Sequence, residues 1–134
     1  MAEVRITDPK TGGAKGQKPE RYDLLPFDAL DEVTRVYAFG EGKYPTGEDG
    51  VPNWQKGYRW SLSLGAMFRH GSRIMQGEDY DPESGCLHAA HIAWHALLLI
   101  TYKLRGLGTD DRASTAWSSV TTVRRAAGQT GNGS

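Results

Sequence analysis

Residues 77–104 read GEDYDPESGCLHAAHIAWHALLLITYKL. From Ala89 to Ile100 apolar side chains fall on nearly every face, the pattern of a helix packed on all sides rather than one lying on a surface. Ahead of it, Asp81 and Ser84 are cap-type residues and Pro82 is a turn former, so the helix is predicted to begin between Ser84 and Leu87. Gly106 and Gly108 are placed to end it. A chain of 134 residues is one domain's worth, and a bundle buries such a helix most economically. The fold class expected is all-α: a small helical bundle whose core is completed by oligomerisation, as a homodimer or homotetramer.

The rest of the chain is read outward from that helix. Phe27, Leu30, Val33, Val36 and Tyr37 follow three-and-four spacing, which predicts a first helix over 26–39 with Pro26 in its first turn and Gly40 and Gly42 as its stop. Leu62, Leu64, Met67, Phe68 and Met75, interleaved with Arg59, Arg69 and Arg73, predict a second helix over 58–76 with Ser61 as a cap. Between them, residues 41–57 form a long loop of the kind that is functional or mobile. Residues 1–25 are rich in Gly, Pro and basic side chains, and no regular element or hairpin is expected before Pro26. The expected division is thus an extended basic arm over 1–25, a helical domain over 26–105 and a tail over 106–134. The tail is expected to hold a short helix near 112–126 and a disordered end.

Composition excludes several classes of function. Sixteen basic residues balance sixteen acidic ones, so no bulk field recruits nucleic acid or a membrane. The longest apolar run is too short to span a bilayer and no leader opens the chain, so a soluble, cytoplasmic protein is expected. The single cysteine, Cys86, excludes an intramolecular disulfide and a Cys-rich zinc site.

Two clusters carry chemistry. His88, His91 and His95 lie at i, i+3 and i+7 and form one stripe, preceded by the carboxylates Glu78, Asp79, Asp81 and Glu83. Together they could bind a metal, or the histidines could be hydrogen-bonded in a core while the acids cap the helix. The first helix adds Asp28, Asp31 and Glu32, which form a solvated face unless that helix packs against the start of the apolar one; Glu32 could then meet Glu78 and Asp81, and an all-oxygen cluster suits Mg²⁺ or Mn²⁺. Such an ion suggests a phosphate substrate. In TGGAKGQK the glycines Gly12 and Gly13 expose backbone N–H groups while Lys15 and Lys18 supply charge, although the segment is no P-loop. Lys43, Tyr44, Asn53, Trp54, Lys56, Arg69 and His70 add the cationic, stacking and amide groups that a nucleotide uses.

Taken in order, DPKTGGAKGQKPERYDLLPFDAL, GEGKY, NWQKG, the pair Arg69 and His70, and GEDYDPESGCLHAAHIAWHALLL resemble the phage dATP/dGTP diphosphohydrolase family, MazZ-like and related to the MazG-like all-α nucleotide pyrophosphohydrolases. The resemblance implies an oligomeric helical enzyme acting in an infected bacterial cytoplasm. It would cleave a purine deoxynucleoside triphosphate to monophosphate and pyrophosphate with help from Mg²⁺ or Mn²⁺. It also implies Glu32, Glu78 and Asp81 as metal-bound catalytic residues, with Asp79 as a further ligand. The nucleotide would contact the arm, the loop, Arg69 and His70, with His88 and His91 as supporting groups. Glu78 and Asp81 spell the ExxD of MazG-like enzymes, whereas their ExxE is missing from the first helix. A protein that binds a nucleotide without hydrolysing it, such as a phage sponge for a nucleotide signal, is the alternative.

Overall fold

The computed structural model describes residues 2–113. Among these residues four helices, α1 (Phe27–Lys43), α2 (Asn53–Lys56), α3 (Trp60–Met75) and α4 (His88–Arg105), account for most of the regular structure. A two-stranded antiparallel sheet, β1 (Val4–Thr7) and β2 (Ala14–Gln17), and a 3₁₀ turn at Tyr22–Leu24 precede them. By their internal contacts the residues fall into two compact units that divide between Asp31 and Glu32. The described residues include no helix long and apolar enough to cross a membrane.

The hairpin corrects the expectation of an arm without regular structure. Asp8 makes the turn: its side chain accepts the backbone N–H of Lys10 at 2.8 Å and of Thr11 at 2.9 Å. Gly12 then takes the left-handed φ of 75° that returns the chain, and Val4 pairs with Gln17 through to Thr7 with Ala14. In DPKTGG the turn chemistry is local, so low hydrophobicity did not prevent pairing.

In the second unit, α1 runs on through Gly40 and Gly42 instead of stopping at residue 39. A helical glycine costs only about 1 kcal/mol relative to alanine, a penalty that neighbouring contacts can override. The loop that follows is pinned by Glu41, which accepts the Thr46 N–H at 2.6 Å and its hydroxyl at 2.7 Å, and it contains the single helical turn of α2. Ser61 does not cap α3, whose N-cap is Arg59; instead Asp111 accepts from both the amide and the hydroxyl of Ser61. The tail helix expected near 112–126 lies outside the described residues but for its first two positions.

Two apolar clusters hold these helices. Val33 and Val36 of α1 pack with Cys86 and Ala90 at the start of α4, while Trp60 of α3 packs with Leu98 and Tyr102 further along it. Trp94 borders both clusters, which makes α4 the central element its apolar sequence suggested. Its outer face is nevertheless open, with Ile100 and Leu104 exposed. Gly106, in the left-handed conformation, closes α4 on the carbonyl of Tyr102.

Candidate functional site

The stripe on α4 faces α3, and there it meets His70, so all four histidines of the chain converge. His70 stacks on His91, centroids 4.5 Å apart and planes 9° from parallel, and its Nδ1 lies 2.8 Å from Nδ1 of His88. His88 Nε2 lies 2.8 Å from Glu78 Oε1. A carboxylate only accepts, so His88 donates through Nε2; in the neutral ring its Nδ1 then accepts, and His70 Nδ1–H is the donor. The chain of bonds leaves His70 Nε2 with a lone pair, 3.4 Å from Arg69 Nη2. Burial and the neighbouring charges of His91 and Arg69 push His70 down to about 4, so it is neutral at pH 7.

A second network starts in the turn before α4. That turn is closed by Asp81 N–H on the Cys86 carbonyl and His88 N–H on the Asp79 carbonyl, both at 2.8 Å. It carries Asp81 inward, where it is buried. Burial would raise the Asp81 carboxyl, but the Ser84 hydroxyl and the Glu83 backbone hold it below its ordinary value. Ser84 Oγ lies 3.1 Å from Asp81 Oδ2 and 2.7 Å from His91 Nε2. With its one proton given to Asp81, Ser84 takes the Nε2–H of His91 as acceptor. A third network joins His95 Nδ1 to Ser63 Oγ at 2.9 Å and Ser63 Oγ to the Tyr58 hydroxyl at 2.6 Å.

These networks border a cavity of about 920 Å³. Tyr37, Trp54, Tyr58 and Trp94 give it an aromatic wall, and Lys43, Lys56 and Arg69 give it positive charge beside His70, His91 and His95. Tyr37 meets both Trp54 and Trp94 edge-on at 5.9 Å, and Trp94 Nε1 is buried without a hydrogen-bond partner among the described residues. Lys43 is held 2.9 Å from Glu83 and Lys56 3.4 Å from Asp49, so an anion entering here competes with carboxylates for both.

The residues singled out in the sequence are therefore divided. Lys43, Tyr44, Asn53, Trp54, Lys56, Arg69, His70, His91 and Asp81 line the cavity. His88 and Glu78 stand behind His70. Gly12, Gly13, Lys15 and Lys18 lie in the first unit: Gly12 and Gly13 form the hairpin turn, Lys15 bonds the carbonyl of Gly16, and Lys18 pairs with Glu3. Glu32 pairs with Arg35 at 3.2 Å. Among the described residues no three His, Cys, Asp or Glu side chains are grouped to hold a metal, so Glu32, Glu78, Asp79 and Asp81 do not present one shared set of oxygens. From the sequence, Ser63 and Tyr58 have no role, Ser84 only that of a cap, and His95 only a place on the stripe. Of these signals only the stripe points to the site.

The family model for the N-terminal part of dATP/dGTP diphosphohydrolases matches residues 9–112. The chain belongs to that family. A curated relative, the dATP/dGTP diphosphohydrolase of Salmonella phage PMBT28, is 40% identical over 81 residues, 60% of this chain and 26% of the relative. The chain thus aligns with about a quarter of that protein's length. No solved structure matches it. The family match runs from the hairpin turn to beyond the end of α4, covering every element described except β1.

Proposed function

We propose that the cavity binds a purine deoxynucleoside triphosphate and that the chain hydrolyses it to the monophosphate and pyrophosphate. The observation that carries this reading is the pairing, in one cavity, of an aromatic wall with Lys43, Lys56 and Arg69 around a neutral, oriented imidazole. Aromatic rings stack on a base, and the cations neutralise phosphate oxygens. The name of the relative, a dATP/dGTP diphosphohydrolase, supplies the substrate class.

In this reading His70 Nε2 accepts a proton from the water that attacks phosphorus, while its Nδ1 proton passes to His88 Nδ1. The charge then rests beside the Glu78 carboxylate, which offsets the weakness of His70 as a base on its own. The oxygen of that water bonds to the α-phosphorus, and pyrophosphate leaves with the electron pair. Lys43 and Arg69 hold the departing charge. Among the described residues the carboxylates form no group of three that could hold a metal, so in this reading Mg²⁺ or Mn²⁺ would come with the triphosphate and add to the charge neutralisation that Lys43, Lys56 and Arg69 supply.

The proposal extends to a MazG-like helical enzyme working as a homodimer or homotetramer in the cytoplasm of an infected cell. The exposed Phe68, Met75 and Leu104 support association.

The test is incubation of the purified chain with dGTP or dATP and Mg²⁺ or Mn²⁺. Pyrophosphate is expected from the wild type, and at least tenfold less from Glu78→Ala, which removes the acceptor that orients His88. Tight binding without pyrophosphate in either ion would replace hydrolysis with nucleotide recognition alone. No binding of either nucleotide would end the reading.

A further inference from the structure

His95 sits where the aromatic and cationic parts of the cavity wall meet. Its ring lies 4.8 Å from Trp94, edge-on, and 6.3 Å from His70. Nδ1 is held by Ser63, and Ser63 by Tyr58, which leaves Nε2 as the ring nitrogen for a ligand. Ser63 is fully buried, so no solvent competes for either of its bonds.

This imidazole and its two hydroxyls have two consistent proton arrangements. In one, Tyr58 donates to Ser63 and Ser63 donates to Nδ1; the ring proton is then on Nε2, which becomes a donor. In the other, Nδ1–H donates to Ser63 and Ser63 donates to Tyr58; Nε2 is then a lone-pair acceptor, and the Tyr58 proton turns to the cavity that Tyr58 lines. Both internal bonds survive the reversal. Burial pushes the ring down to about 4, so the histidine is neutral in either state.

Adenine and guanine differ at position 6, where adenine carries an amino donor and guanine a carbonyl acceptor. A buried group fixed as donor or acceptor would penalise one of them, because a polar partner left unpaired is costly. We propose that His95 Nε2 reads position 6 of the purine and that reversal of the Tyr58–Ser63 hydrogen-bond chain lets one cavity take both bases. The inference rests on the nucleotide reading above and names what sets its base tolerance. His95 touches the base; Ser63 and Tyr58 are positioning residues that act through it.

The experiment is a ¹⁵N spectrum of histidine-labelled full chain, saturated with dATP or dGTP in EDTA to suppress turnover, with the His95 signals assigned by their loss in His95→Gln. The proton is expected on Nε2 with dGTP and on Nδ1 with dATP; the same tautomer with both overturns the proposal. Affinities give a second readout. Ser63→Ala removes the partner of Nδ1, the ring keeps its proton on Nε2, and the dGTP-to-dATP affinity ratio is expected to rise about tenfold. Tyr58→Phe serves if the alanine variant does not fold. It leaves Nδ1 as the remaining acceptor for the Ser63 hydroxyl and should move the ratio the same way. A variant that binds both nucleotides with the wild-type ratio sinks the role given to His95. Failure of the wild type to bind either nucleotide is a different result and removes the nucleotide reading itself.

Discussion

The four imidazoles are packed closely, and at three of them, His70, His91 and His95, burial and the neighbouring rings oppose protonation. His70 and His95 are both pushed down to about 4, first by burial and then by neighbouring rings and Arg69, and His91 is lowered in the same direction. Above about pH 6.5 the unfolded imidazoles are also neutral, so these groups make stability no different. Between about 6.5 and 4 the unfolded chain binds protons that the native one refuses, and stability falls as the pH falls. The melting temperature is therefore expected to drop by several degrees from pH 7 to pH 5, measured by circular dichroism at constant ionic strength. A flat profile over that range would mean that the cluster opens to water. The stripe itself was legible in the sequence because its i, i+3, i+7 spacing belongs to a single helix. The hydroxyls of Ser63 and Ser84 were not, since their bonds to imidazole depend on how α3 and the turn before α4 approach that stripe.

At the scale of elements, the chain beyond α4 is laid against the start of α3. Thr109 pairs with Arg59 in an isolated bridge, and Trp60 N–H donates to the Thr109 carbonyl at 2.9 Å. The crossing passes through two glycines with positive φ, Gly57 at 90° and Gly108 at 70°. A Cβ on Gly108 would fall 2.3 Å from the Tyr58 carbonyl oxygen, and one on Gly57 would fall 2.6 Å from the Gly108 nitrogen. Backbone cannot retreat as a flexible side chain does, so Gly108→Ala combines a disfavoured φ with a steric clash and is expected to cost about 2–4 kcal/mol. Urea denaturation measures it, and a loss under 0.5 kcal/mol would show that the crossing is loose. Tyr58 lies in this crossing, so the same variant should also disturb the cavity wall. From the sequence, Gly108 helps to end α4 and Gly57 falls at the end of the long loop over 41–57, and that is half of their role; the close approach of residues 57 and 108 is a tertiary fact with no local signature. Similarly, α1 outran its expected stop because Gly40 and Gly42 only weaken a helix.

At the scale of the whole molecule, every residue lining the cavity belongs to the unit that begins at Glu32. The hairpin unit has its own satisfied groups: Asp8 closes its turn, Lys18 pairs with Glu3, and Arg21 pairs with Asp23. A net charge of zero offers no long-range attraction that a deleted arm would remove, so a nucleotide in the proposed site should feel the local set of Lys43, Lys56 and Arg69. A chain lacking residues 2–20 is therefore expected to bind dGTP within about threefold of the full chain, a difference below 1 kcal/mol. Its melting temperature should change by only a few degrees, because a lone two-stranded hairpin contributes little stability. Isothermal titration with dGTP in EDTA makes the comparison. A loss of tenfold or more would bring Gly12, Gly13, Lys15 and Lys18 into the binding site, as anion contacts that the hairpin carries to the nucleotide.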